Sequence, residues 1–202
     1  MARPLRKIQQ GVTYHCYSRC QGLNKLLLKK YGKIAFVEAI KMCQIYYNFN
    51  FELIAAEIVD NYFHLIIRTL EDGETVACIM QYIKARTAEK FNRATGRKGP
   101  FWNERYKSTI IEESKYPKEY LFQLTWDIAY DPVRKGLSRN PRENYIGFIK
   151  CYLIENYNVP KKIKITLHPF FYKLGDTFDE CVKKFLLYED AYLERFASSS
   201  AR

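Results

Sequence analysis

The chain predicts an α+β fold of the ferredoxin-like, split βαβ kind: an antiparallel sheet with helices packed on one face, plus a C-terminal helical extension. Three observations predict it. Short runs of strand character alternate with longer helical periods in the order strand, helix, strand, strand, helix, strand, helix. Two of the apolar runs are separated only by Asp60-Asn61, residues that tolerate the backbone a tight hairpin requires. The 202 residues, 48% hydrophobic and 16% aromatic, also suffice for one core domain without metals or disulfides.

The elements follow in order. GVTYHCYSR (11 to 19) alternates apolar and polar residues after Gly11, as a strand does. YGKIAFVEAIKMCQIYY (31 to 47) sets Ile34, Val37, Ile40, Met42 and Ile45 at intervals near three and four, predicting an amphipathic helix that covers the sheet. FELIAAEIV (51 to 59) and YFHLIIRT (62 to 69) form the hairpin. The segment 71 to 96 has an acidic start, a helical period through Val76, Ile79, Ile83 and Phe91, and Gly96 as a C-cap. FWNERYKSTIIEE (101 to 113) reads as a strand, and KYPKEYLFQLTWDIAYDPVRKG as a helix that Pro132 stops. Residues 1–153 are expected to be the domain; 154–202, a loop followed by the amphipathic DECVKKFLLYEDAYLERF, are expected to be an extension docked on it.

Charge and cysteines narrow the function. A net charge of +11 points to a polyanion, because Lys and Arg that neutralise phosphates release condensed counterions. The six cysteines show no Cys-x-x-Cys pair or framework spacing, which argues for reduced thiols in a cytoplasmic setting. No stretch approaches the roughly 18 apolar residues of a membrane span, and the basic start MARPLRKIQQG lacks a signal-type apolar run.

MARPLR with GVTYHCYSR, then DNYFHLIIR, FWNERYKS and DIAYDPVRKGL stand in an order that resembles the REP-associated tyrosine transposases, relatives of the insertion-sequence-200-like single-tyrosine transposases in the His-hydrophobic-His endonuclease superfamily. The resemblance spans most of residues 1 to 152. It implies a ferredoxin-like domain that binds single-stranded or hairpin DNA in DNA transposition. It also implies a Mg²⁺ or Mn²⁺ held by two strand histidines and an oxygen ligand, and a helical tyrosine that forms a phosphotyrosine link.

Two positions depart from that pattern. Tyr62 stands where the first histidine is expected, and Asp127 where the nucleophilic tyrosine is expected, four residues before Asp131-Pro132-Val133-Arg134. The resemblance leaves His64 and Asp131 as metal-ligand candidates. A rebuilt catalytic set would draw on Tyr130, Asp127 and Tyr62, with Tyr130 as the displaced nucleophile. The plainer roles are a strand histidine bonded to a neighbour, a tyrosine filling the space of an imidazole, and carboxylates at a helix end. His15 reads as structural.

Basic residues interleave with aromatics at Lys84, Arg86, Lys90, Arg93, Arg97, Lys98, Trp102, Arg105 and Lys107, a composition suited to phosphate contact and base stacking. Arg3 and Arg6 form an N-terminal arm, and Arg134 belongs to a third cluster. The expectation is a DNA-binding transposase relative, monomeric, without membrane association, whose nuclease chemistry is lost or impaired. An active metal-dependent strand transferase using Tyr130 is the alternative, and RNA binding a third.

Overall fold

A computed structural model describes residues 8–22, 25–160 and 162–200. Four strands, β1 (Thr13–Arg19), β2 (Phe51–Val59), β3 (Tyr62–Thr69) and β4 (Lys107–Ile110), form one antiparallel sheet in the order β2-β3-β1-β4. Helices α1 (Lys30–Tyr46) and α2 (Val76–Thr95) make the two split crossovers, as the ferredoxin-like class requires. The β2–β3 hairpin turns on Asp60, whose φ of 51° an aspartate adopts more readily than a β-branched residue. Helix α2 starts at Thr75, whose side chain accepts from the Cys78 N–H, and ends at Gly96 in the left-handed region with φ 65°.

Alternation along the strands separates two faces. Tyr14, Cys16, Phe63, Leu65 and Ile67 face α1 and α2; the Phe36 ring of α1 meets Phe63 at 4.7 Å. His15, Tyr17, Arg19, Tyr62, His64 and Glu57 share the other face. Helix α3 (Pro117–Arg134) approaches that second face across β2.

Three elements differ in detail from expectation. Helix α1 buries Phe36, Ile40 and Cys43, with Ala35 and Ala39 small enough for close packing, while Ile34, Met42 and Ile45 remain exposed. The run from 101 forms ladder pairs only from Lys107. Earlier, the Trp102 indole N–H donates to the Lys84 carbonyl at 2.8 Å, drawing the segment onto α2 and leaving a lone bridge to Cys20. Pro132 does not stop α3. It lies in the last turn, where its missing N–H frees one carbonyl, and the helix continues to Arg134 before Gly136 turns with φ 66°.

The C-terminal segment is part of the packing. A short helix α4 (Pro169–Tyr172) and the long α5 (Phe178–Ser200) set Phe171 and Phe185 against Tyr152 and Trp126. His168 ties it to β1 through Thr13 Oγ1 at 3.0 Å while its Nδ1 accepts from the Phe170 N–H at 3.1 Å, so Nε2 carries the proton. Among the described residues, no helix is long and apolar enough to cross a membrane.

Candidate functional site

Strand β3 and the last turn of α3 meet at Asp131. Asp131 precedes Pro132 in that turn, and its side chain is buried against the second sheet face, beside Tyr62 and His64. Its Oδ2 accepts from the Tyr62 hydroxyl at 2.9 Å and from His64 Nε2 at 3.3 Å; its Oδ1 meets Arg134 Nη2 at 3.1 Å. Burial pushes the Asp131 carboxyl up, but His64, Tyr62 and Arg134 together hold it below its ordinary value.

His64 uses its second nitrogen on His15, Nδ1 to Nε2 at 2.9 Å. The ring centroids lie 5.1 Å apart, the separation expected for two imidazoles joined head to head by N–H···N. Burial, then the neighbouring His64, lowers the His15 pKa to about 3, so His15 is neutral near pH 7. The result is a hydrogen-bonded line from Asp131 through His64 to His15. Tyr17 packs on both Tyr62 and His64 at 5.3 Å, and the exposed Arg19 lies over the Tyr62 ring at 5.6 Å. His15, Tyr17 and Arg19 thus join a cluster that sequence reasoning had centred on His64. The signal was the alternation of β1, but its register against β3 had to be known to use it.

Asp127 and Asp131 share a helical face as their spacing predicts, and Arg134 bridges them. Its Nη1 lies 2.7 Å from Asp127 Oδ1, and its Nη2 donates to the Asp127 carbonyl at 3.1 Å. The same guanidinium donates to the Tyr192 hydroxyl of α5. Burial opposes the Arg134 charge, yet Asp127, Tyr192 and Asp131 raise its pKa above the ordinary arginine value.

Tyr130 points elsewhere. Its hydroxyl donates to Glu189 Oε1 at 2.7 Å and its ring stacks on Tyr192 at 4.8 Å, beneath α5. Glu189 is itself forked by Arg142 at 2.8 and 2.6 Å. Burial, then Glu189, pushes the Tyr130 phenol up to about 12; burial, then Asp131, also raises that of Tyr62. A phenol that donates to a carboxylate and resists ionisation is a poor nucleophile near neutral pH.

A Mg²⁺ or Mn²⁺ does not fit these residues as arranged. Hard ions favour oxygen ligands, and both oxygens of Asp131, the carboxylate of the cluster, already accept from Tyr62, His64 or Arg134. A divalent ion placed about 4 Å from the guanidinium would be repelled by about 8 kcal/mol at an effective dielectric constant of about 20. The line of the His15–His64 bond also keeps the two facing nitrogens from converging on one ion. Among the described residues no group of three or more His, Cys, Asp or Glu is placed to hold a metal.

The basic residues divide into two sets. Arg86 and Arg93 both pair with Glu89, at 2.7 and 2.5 Å, and Lys90 pairs with Glu38 at 2.7 Å. Lys84 donates to Ser18 Oγ at 2.8 Å and to the Glu104 carbonyl at 2.7 Å, over the half-buried Trp102. Arg97 holds its own loop through Asn92, Gly99 and Pro100. Lys98, Arg105 and Lys107 are exposed around β4, Lys107 only 4.0 Å from Glu104 at its nearest. Arg3 and Arg6 lie outside the described residues.

A four-stranded ferredoxin-like sheet with a histidine–aspartate cluster on its partly open face defines the class of protein. Residues 9–121 match the family model described as "Transposase IS200 like", and the chain belongs to that family. Among solved structures, a REP-associated tyrosine transposase bound to a REP hairpin superposes with a TM-score of 0.61 at 18% identity, over 84% of this chain and 96% of that one. A chain from Deinococcus radiodurans R1 described as a candidate transposase gives a TM-score of 0.41 at 15% identity, over 61% of this chain and 93% of that one. No curated protein sequence matches the chain.

Proposed function

We propose that this transposase-family protein is a monomeric cytoplasmic module that binds single-stranded or hairpin DNA and has lost the strand-cleaving chemistry. The observation that carries the loss is the fate of the two candidate phenols: Tyr62 and Tyr130 each donate to a carboxylate, Asp131 and Glu189, and both are pushed away from ionisation. Asp127 cannot replace them, because it is committed to Arg134. Residues 154–202 act as an extension that clamps α3, through the Trp126 indole on the Phe185 carbonyl and Tyr130 on Glu189.

DNA binding is supported by the net charge of +11 and by the exposed Lys98, Arg105 and Lys107 beside Trp102. The protein of like fold that was solved with a REP hairpin suggests the DNA form to try first. The paired cations of α2 contribute less, since Glu89 and Glu38 already neutralise them. Fluorescence anisotropy of a labelled hairpin tests the reading against unstructured DNA and RNA of equal length. Tighter binding to the hairpin at equal salt is expected; preference for the ribose strand would replace the DNA reading with RNA binding.

A further inference from the structure

Tyr62 and Asp127 are 65 residues apart in sequence, on a strand and on a helix, yet both act on the same carboxylate. Tyr62 takes Oδ2 of Asp131 directly. Asp127 acts through Arg134: it grips Nη1 at 2.7 Å and, with its main-chain carbonyl, Nη2 at 3.1 Å, the nitrogen that sits on Oδ1. Tyr192 of α5 adds a further acceptor for the same guanidinium. An arginine on an exposed helix end normally samples many rotamers; here acceptors from two helices fix one.

We propose that Arg134, aimed by Asp127 and Tyr192, is the resident cation of this pocket and excludes divalent metal ions from Asp131 and His64. The guanidinium supplies the positive charge that a buried carboxylate requires. It sits at one carboxylate oxygen while the Tyr62 hydroxyl and His64 Nε2 occupy the other. Charge, donor count and access therefore all act against a second cation. The device is local to the cluster and does not depend on whether the chain holds DNA.

The aim of Arg134 makes the proposal testable at a distance from the ligands. Asp127 is half exposed, with 54% of its side chain accessible, so Asp127→Asn tests the aim without opening the core. Mn²⁺ binding to the full chain, in the absence of DNA, is read from the loss of the free-ion electron paramagnetic resonance signal. Arg134→Gln should bind Mn²⁺ at least tenfold more tightly than the parent chain, and Asp127→Asn should move in the same direction by a smaller factor. Adding Asp131→Asn to Arg134→Gln should abolish the gain, which separates this pocket from adventitious surface sites. Melting curves establish that each variant is folded; if Arg134→Gln is not, Asp127→Asn carries the comparison alone. A ratio near one for the folded variants overturns the proposal, whether parent and variants all bind or none does. So does a gain that survives Asp131→Asn. Hairpin binding by anisotropy is a separate readout, so failure here is distinguishable from failure of the DNA-binding reading.

Discussion

Three donors surround the Asp131 carboxylate, and each has a cost when removed. Tyr62→Phe deletes the 2.9 Å bond while keeping the ring against Tyr17, so a loss of about 1–2 kcal/mol in urea unfolding is expected. Glu57 gives the opposite kind of signal. Fully buried beside the same cluster, it accepts from the Ile58 N–H at 3.0 Å and from Asn144 Nδ2 at 3.1 Å, yet burial outweighs both bonds and pushes its carboxyl up to about 8. An unfolded glutamate ionises near its ordinary value of 4.5, whereas the folded one keeps its proton until about pH 8. Between those values the folded state binds more protons, so stability should fall as pH rises, by on the order of 5 kcal/mol across the window. Unfolding curves at pH 5 and pH 8 check this, and Glu57→Gln should flatten the difference. A slope unchanged in Glu57→Gln would assign it to other groups.

At the scale of elements, α5 decides what α3 can do. Glu189 is buried, bonded by Tyr130 and forked by Arg142. Glu189→Ala would strand the Arg142 charge and the Tyr130 hydroxyl, and a loss of about 3–5 kcal/mol is expected in chemical denaturation. A loss below about 1 kcal/mol would mean that α5 does not clamp α3. The elements themselves were largely legible in the sequence. The β2–β3 hairpin lies at the predicted residues, and α2 ends at the predicted Gly96, because turn and cap chemistry is local. The buried face of α1 was less legible, since apolar residues occur around much of that helix and only packing against α2 and Phe63 selects Phe36, Ile40 and Cys43. The first half of the predicted fourth strand failed for a similar reason: the Trp102 indole bond to α2 is a tertiary contact that no alternation announces.

The site was half legible. His64 and Asp131 stood out by position in their motifs, and the spacing of Asp127 and Asp131 placed them on one helical face. What could not be read was register: His15 lies against His64 only because Tyr17 pairs with His64 and Cys16 with Leu65 across β1 and β3. Nor could Tyr130 be placed, because its partner Glu189 is 59 residues downstream on a helix whose docking is tertiary.

For the whole molecule, the proposed nucleic-acid binding has a salt dependence that separates contact from background. Each phosphate contact by Arg105 or Lys107 should contribute about 0.7–0.9 to the slope of log affinity against log salt. Arg105→Ala and Lys107→Ala should therefore each lower that slope by about one contact, while Arg93→Ala, already paired with Glu89, should change it little. Equal slopes for all three would move the interface away from β4.

The most direct test of the account is intact-protein mass after incubation with a hairpin-bearing single-stranded oligonucleotide and Mn²⁺, alongside anisotropy that shows the same oligonucleotide is bound. The account predicts bound DNA and an unchanged protein mass. A covalent protein–DNA adduct mapping to Tyr62, Tyr130 or any other tyrosine would contradict it and restore a strand-transferase reading.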